Sequence, residues 1–99
     1  MSTSEPRPGE KVKNVAFSED RLIVDLLDGR TISVPLAWYP RLLHGHPEER
    51  RTWRLIGDGQ GVHWDALDED ISVENLLAGR HSGESQESFR RWLASRTVA

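Results

Sequence analysis

Ninety-nine residues with no Cys and a formal net charge of −3 describe one small domain without disulfides, thiolate chemistry or Cys-ligated zinc. The acid excess argues against whole-chain attraction to nucleic acid. No apolar run reaches the roughly 20 residues that span a bilayer. Four Trp, two Phe and a hydrophobic fraction of 36% still supply one modest core, so the body of the chain reads as folded. The N-terminus lacks the basic-then-apolar pattern of a signal peptide, and a Cys-free domain fits the reducing cytoplasm.

Residues 1–10, with Pro6 and Pro8 among Ser, Thr and Glu, read as a disordered tail. Val12, Val15 and Phe17 then suggest a first strand, and Arg21–Leu27 a second. Asp28-Gly29 between β-rich runs predicts a two-residue type I′ hairpin returning through Arg30–Val34. Leu22, Val24 and Leu26 would share one face of the second strand, and Ile23, Asp25 and Leu27 the other. Pro35 ends the return strand. Short helical turns follow on either side of Pro40, with Gly45 as a stop and Pro47 opening another helix whose acids Glu48 and Glu49 precede Arg50 and Arg51.

Trp53–Ile56 and Val62–Trp64 read as strands around the Gly-rich turn Gly57-Asp58-Gly59-Gln60-Gly61. Asp65 to Asp70 reads as an acidic connection. Ile71–Gly79 reads as a short helix with Ser72 as N-cap, Ile71 and Leu76 as a hydrophobic staple, and Gly79 as its close. Residues 81–99 hold a linker and an amphipathic helix over Ser85–Arg96, in which Phe89, Trp92, Leu93 and Arg96 follow i, i+3, i+4, i+7 spacing. The expected architecture is α+β: a small antiparallel sheet of about four or five strands, starting as a hairpin meander. Two or three short helices and an added C-terminal helix complete it.

Two stretches, Leu26-Leu27-Asp28-Gly29-Arg30-Thr31-Ile32-Ser33-Val34-Pro35-Leu36 and Gly61-Val62-His63-Trp64 through Asp68-Glu69-Asp70-Ile71-Ser72-Val73 to Leu76-Leu77, resemble the bacterial domain-of-unknown-function family 2442 (DUF2442). The resemblance covers roughly residues 11–80. It implies a small α+β domain with an antiparallel sheet and carries over no catalytic residues. It also implies two settings: some relatives carry a following helix-turn-helix domain, and others are encoded beside small proteins suspected to form toxin–antitoxin pairs. Twenty residues after Gly79 hold one helix rather than a DNA-binding bundle, which weighs against direct operator binding.

Three groups of residues invite a functional reading. Asp58, Asp65, Asp68, Glu69, Asp70 and Glu74 fall in a stretch with no Lys or Arg between Arg54 and Arg80. Such a run offers a negative surface to a basic partner or, less readily, oxygen ligands to a hard cation. The plainer reading is a solvated loop leading into a helix N-terminus. Arg41, Arg50, Arg51 and Arg54 with His44 and His46 form a basic group suited to phosphate or nucleic acid. Alternatively they pair with nearby acids. A His-x-His pair joined by His63 or His81 is weak as a metal site.

A carboxylate pair such as Asp65 and Asp68, or His63 near Asp65, offers acid–base chemistry, but nothing assembles nucleophile, base and orienter. Ser33, Ser72 and Ser82 lack a nucleophile-elbow context, and the Gly-rich turn lacks the Lys of a phosphate loop. Trp38, Tyr39, Trp53 and Trp64 read as packing residues. Phe89 and Trp92 would anchor the terminal helix on its own domain, a partner or a second copy. The expectation is a non-enzymatic protein-interaction or regulatory module without cofactor or metal. Asp65, Asp68, Glu69, Asp70, Glu74, Phe89 and Trp92 would meet an antitoxin-like partner, a small basic protein. The alternatives are a nucleic-acid-associated module using Arg41, Arg50, Arg51 and Arg54, or an acidic nucleic-acid mimic. An exposed edge strand also allows a homodimer.

Overall fold

The alternation of Leu22, Val24 and Leu26 with exposed or half-buried neighbours makes β2 the centre of the first sheet. In the computed structural model, which describes residues 9–96, β1 (Val12–Phe17), β2 (Arg21–Leu26) and β3 (Thr31–Pro35) form an antiparallel meander. The register between β1 and β2 shifts at a bulge between Val12 and Asn14. Of the expected tail, residues 1–8 lie outside the described residues. Gly9 and Glu10 are fastened to the β2–β3 turn: the Asp28 N–H donates to the Gly9 carbonyl at 3.0 Å, and Arg30 meets Glu10 at 2.8 Å.

That turn departs from the predicted type I′ form. Leu26 and Arg30 close a three-residue loop, Leu27-Asp28-Gly29, through a 2.8 Å bond from the Leu26 N–H to the Arg30 carbonyl, and Gly29 takes φ +96°. A type I′ turn would need positive φ at Asp28 too. The Asp28 carboxylate instead accepts the Arg30 N–H at 3.0 Å and the Arg30 side chain at 2.9 Å, which holds its backbone on the ordinary side of φ.

After Pro35 a 3-10 turn (Leu36–Trp38), α1 (Pro40–Leu43) and α2 (Pro47–Arg50) carry the chain away from the first sheet. Proline stands at the first position of both helices, where its missing N–H costs nothing. A second antiparallel sheet follows, β4 (Trp53–Ile56), β5 (Gly61–Trp64) and β6 (Glu69–Ser72) in that order. Among the described residues the strands therefore number six in two three-stranded sheets rather than four or five in one. The helical segment between β3 and β4 interrupts the ladder, and β6 takes the last two residues of the expected acidic connection, Glu69 and Asp70, together with Ile71 and Ser72, which were expected to open the following helix. Its sequence Glu-Asp-Ile-Ser has weak β propensity, but Ile71 faces the core opposite Val62, and Asp70 faces outward opposite His63.

α3 (Val73–Leu77) starts on Ser72, whose hydroxyl accepts the Asn75 N–H at 3.0 Å, and Gly79 closes it at φ +72°. α4 (Gln86–Arg96) is capped by Ser85, which accepts the Ser88 N–H at 3.1 Å. The core runs through both sheets and the helical segment: Leu22, Val24, Leu36, Leu42, Trp64 and Val73 are among its fully buried side chains. Trp64 donates its indole N–H to the Arg50 carbonyl at 3.0 Å, and Phe17 meets it edge-on. No helix among the described residues is long and apolar enough to cross a membrane.

Candidate functional site

Arg41 lies on the four-residue helix α1, which Pro40 starts and Leu42 anchors in the core. Its guanidinium forks onto Glu84 at 2.9 and 3.1 Å from Nε, and it also donates to the Leu67 and Asp68 carbonyls at 3.2 and 3.3 Å. The same Glu84 accepts the Ser88 hydroxyl at 2.7 Å. Upstream, the Tyr39 hydroxyl donates to the Arg80 carbonyl at 3.0 Å, the Ser82 N–H donates to the Trp38 carbonyl at 2.9 Å, and His81 stacks on Trp38 with ring centres 4.1 Å apart. These contacts strap residues 80–84 beside β6 and leave a cleft of about 380 Å³ between strap, β6 and α3.

Asp68, Glu69 and Asp70 form one wall of the cleft, Arg41 and Glu84 another. Glu69 is half-buried on β6, and its Oε2 is buried without a hydrogen-bond partner among the described residues. Burial pushes its carboxyl up to about 7 against the Asp70 N–H hydrogen bond and the pull of Arg41, with the charges of Glu84 and Asp70 adding repulsion. Burial also raises the Tyr39 hydroxyl, to which the charge of Glu69 contributes. Glu84 goes the other way: the Arg41 hydrogen bonds hold it below the usual carboxylate range.

The remaining acids of the segment largely satisfy basic groups of the chain itself. Arg54, His63 and Asp70 stand abreast on β4, β5 and β6. Asp65 lies 3.1 Å from Arg54 and 3.0 Å from Nε2 of His63, while Nδ1 of His63 bonds to Asp70. The Arg54 hydrogen bond holds the Asp65 carboxyl low. With a carboxylate at each ring nitrogen, His63 presents no free nitrogen for the acid–base role its spacing from Asp65 suggested. Glu74 is exposed in the first turn of α3. Among the described residues, no three His, Asp or Glu side chains are placed to hold a metal ion.

The four arginines do not share one face. Arg41 belongs to the cleft, and Arg54 to the β4–β6 ladder. Arg50 caps α1 by donating to the Leu42 and Leu43 carbonyls at 2.9 and 3.0 Å, with its guanidinium over Phe17. Arg51 is exposed. Phe89 and Trp92 turn toward their own domain: Trp92 packs against the core between the guanidinium groups of Arg41 and Arg96, and Phe89 lies 5.3 Å from the His44 ring. Arg96 pairs with Glu49 at 2.6 Å and fastens the far end of α4 to α2. Of the other cleft residues, Arg80 and Glu84 carry no signal in the sequence, while Tyr39 reads there as packing, His81 as a weak metal ligand and Ser82 as a serine without nucleophile context. No local pattern ties Arg41 to Glu84 across 43 positions.

Fold and cleft together define a small two-sheet α+β domain with a polar cleft beside β6. The chain belongs to the family described as protein of unknown function (DUF2442), whose model matches residues 12–82. It is similar to a protein of unknown function from Rhodospirillum rubrum, known from a crystal structure. The identity is 27%, the TM-score is 0.65, and 77% of this chain and 94% of that one are covered. An uncharacterized protein from Chromobacterium violaceum, solved by NMR, shares the fold at 23% identity and TM-score 0.64, over 90% of this chain and 78% of that one. No curated protein matches the chain.

Proposed function

We propose that the chain is a non-enzymatic protein-interaction or regulatory module whose cleft receives a basic side chain from a protein partner. The observation that carries this reading is Oε2 of Glu69, a buried carboxylate oxygen with no hydrogen-bond partner among the described residues. Such an oxygen is costly to leave unsatisfied. An incoming Lys or Arg would supply the missing donor and a countercharge, while Asp68 at the rim would guide it. Trp92 holds α4 against the domain rather than anchoring the partner directly. The setting proposed is the bacterial cytoplasm, with an antitoxin-like role toward a small basic protein as the family association suggests. The alternative of an arginine face for nucleic acid has less support, because Arg41 and Arg54 already hold Glu84 and Asp65.

The test is affinity purification of the tagged protein from its own host, run in parallel with Glu69→Gln. A stoichiometric small basic protein that accompanies the native chain and is depleted from the variant is the expected result. Recovery of the protein alone, or with nucleic acid that salt removes, overturns the reading.

A further inference from the structure

A different surface, away from the cleft, lies between the two sheets. Among the described residues, β1 has a ladder only with β2, and β4 only with β5, so each leaves one edge unpaired there. Lys11, Val12 and Lys13 of the β1 side share a depression of about 650 Å³ with Leu55 and Ile56 of β4 and with Leu27. Further along, Val15 to Ser18 share a second depression of about 350 Å³ with Arg50, Arg51 and Trp53. As β1 ascends in sequence, the facing side descends, so the two sides run antiparallel with both depressions between them, and the groove is taken as these two depressions.

The groove has an apolar floor and a basic rim. Leu27 is 57% and Leu55 44% exposed, high for large aliphatic side chains and adjacent to the core residue Val12. Among the described residues that line the two depressions, Asp58 is the one carboxylate, and Lys11 neutralises it at 2.8 Å. The exposed side chains of Lys13 and Arg51 meet no partner among the described residues. The rim is therefore positive on a chain whose net charge is −3. The two edges are not equivalent. A bulge and two Lys blunt the start of β1, features that discourage strand pairing. β4 has neither, and Leu55 sits in its middle.

We propose that the groove binds an extended acidic segment of a partner protein as an added strand on the open edge of β4. Its alternate apolar side chains lie on Leu27 and Leu55, and its carboxylates meet Lys13 and Arg51. Charge sets the choice of occupant: the same backbone edge would accept any strand, but the unpaired cations select an acidic one.

The probe is a terminally blocked octapeptide alternating Asp and Val, titrated into isotope-labelled full-length protein, with a Lys–Val octapeptide as control. Amide shifts confined to Trp53–Ile56, Leu27 and Lys13, seen with the Asp peptide alone, are the expected result. The Lys13→Glu/Arg51→Glu variant, changed only at exposed positions, should weaken that binding about tenfold or more. Equal binding of both peptides, shifts centred on β3 or β6, or no shifts at millimolar peptide would overturn the proposal. So would a dimer, seen by sedimentation without peptide, that Leu55→Asp dissociates, because the groove would then belong to a second copy of the chain.

Discussion

Arg41 and Glu84 are 43 positions apart in the chain and form a forked ion pair in which each side chain is only 14% exposed. The pair joins α1 to the strap that forms one wall of the cleft, and Glu84 in turn accepts the Ser88 hydroxyl at the start of α4. Breaking it leaves Arg41 half-buried beside its remaining carbonyl partners. Glu84→Gln is expected to cost about 2 kcal/mol, the scale of a hydrogen bond to a charged group. Thermal melting should fall by about 10 °C for a domain of this size. Because the strap moves with the pair, protection of the Ser82 N–H against hydrogen exchange should fall more than that of the β2 amides.

Glu69 gives the domain a pH dependence opposite in sign to that of its paired acids. Its carboxyl is pushed up to about 7 in the folded chain, against 4.5 for an ordinary Glu. The folded state therefore holds the extra proton, and the stabilisation it gives is complete below the unfolded value and lost as pH rises through about 7. Glu69→Gln should flatten this loss, so urea midpoints of the native chain should decline relative to the variant between about pH 5 and pH 8. A basic partner in the cleft needs the ionised form. Its affinity should therefore rise about tenfold between about pH 6 and pH 8, as the ionised fraction of a group titrating near 7 dictates, and Glu69→Gln should remove the rise.

Sequence reasoning reached as far as local chemistry extends. The Ser72 cap, the Pro-started helices and the alternating face of β2 are each set by a few neighbouring residues, and they stand where the pattern put them. Asp28-Gly29 marked the turn correctly but not its type, because the Asp28 side chain satisfies the Arg30 backbone. β6 was hidden because two of its four residues are acids. What makes it a strand is β5: His63 opposite Asp70, and Val62 opposite Ile71. The acidic and arginine groups were visible as composition, but their pairing is a tertiary property. Arg54 with Asp65 joins a member of each group, while Arg41 pairs with Glu84, which lies outside the acidic stretch.

Glu49 illustrates the opposite pH sign. The Arg96 hydrogen bonds, helped by the His46 N–H, hold its carboxyl down to about 2, against an ordinary 4.5. The stabilisation it provides is present above the unfolded value and lost as pH falls from there through about 2. Glu49→Gln should therefore be less stable than the native chain at neutral pH and should converge with it in that acid window. The fluorescence of Trp92, which lies under Arg96, is the local probe that should report α4 loosening in the variant.

Trp64 is the side chain on which the second sheet and the helical segment depend together. It is fully buried, meets Phe17 of the first sheet edge-on, and donates its indole N–H to the Arg50 carbonyl at the end of α2. Trp64→Phe retains a ring but leaves that buried carbonyl without its donor, a loss of about 1–3 kcal/mol. Trp64→Ala also opens a cavity and is expected to cost about 4 kcal/mol. Against the 5–15 kcal/mol that separates most small domains from unfolding, the Ala variant should populate unfolded chain measurably at low urea, while the Phe variant retains a cooperative transition. Equilibrium urea denaturation of both variants, followed by far-UV circular dichroism, measures the two costs. Equal midpoints for Phe and Ala would show that the indole hydrogen bond, rather than filled volume, is what Trp64 contributes.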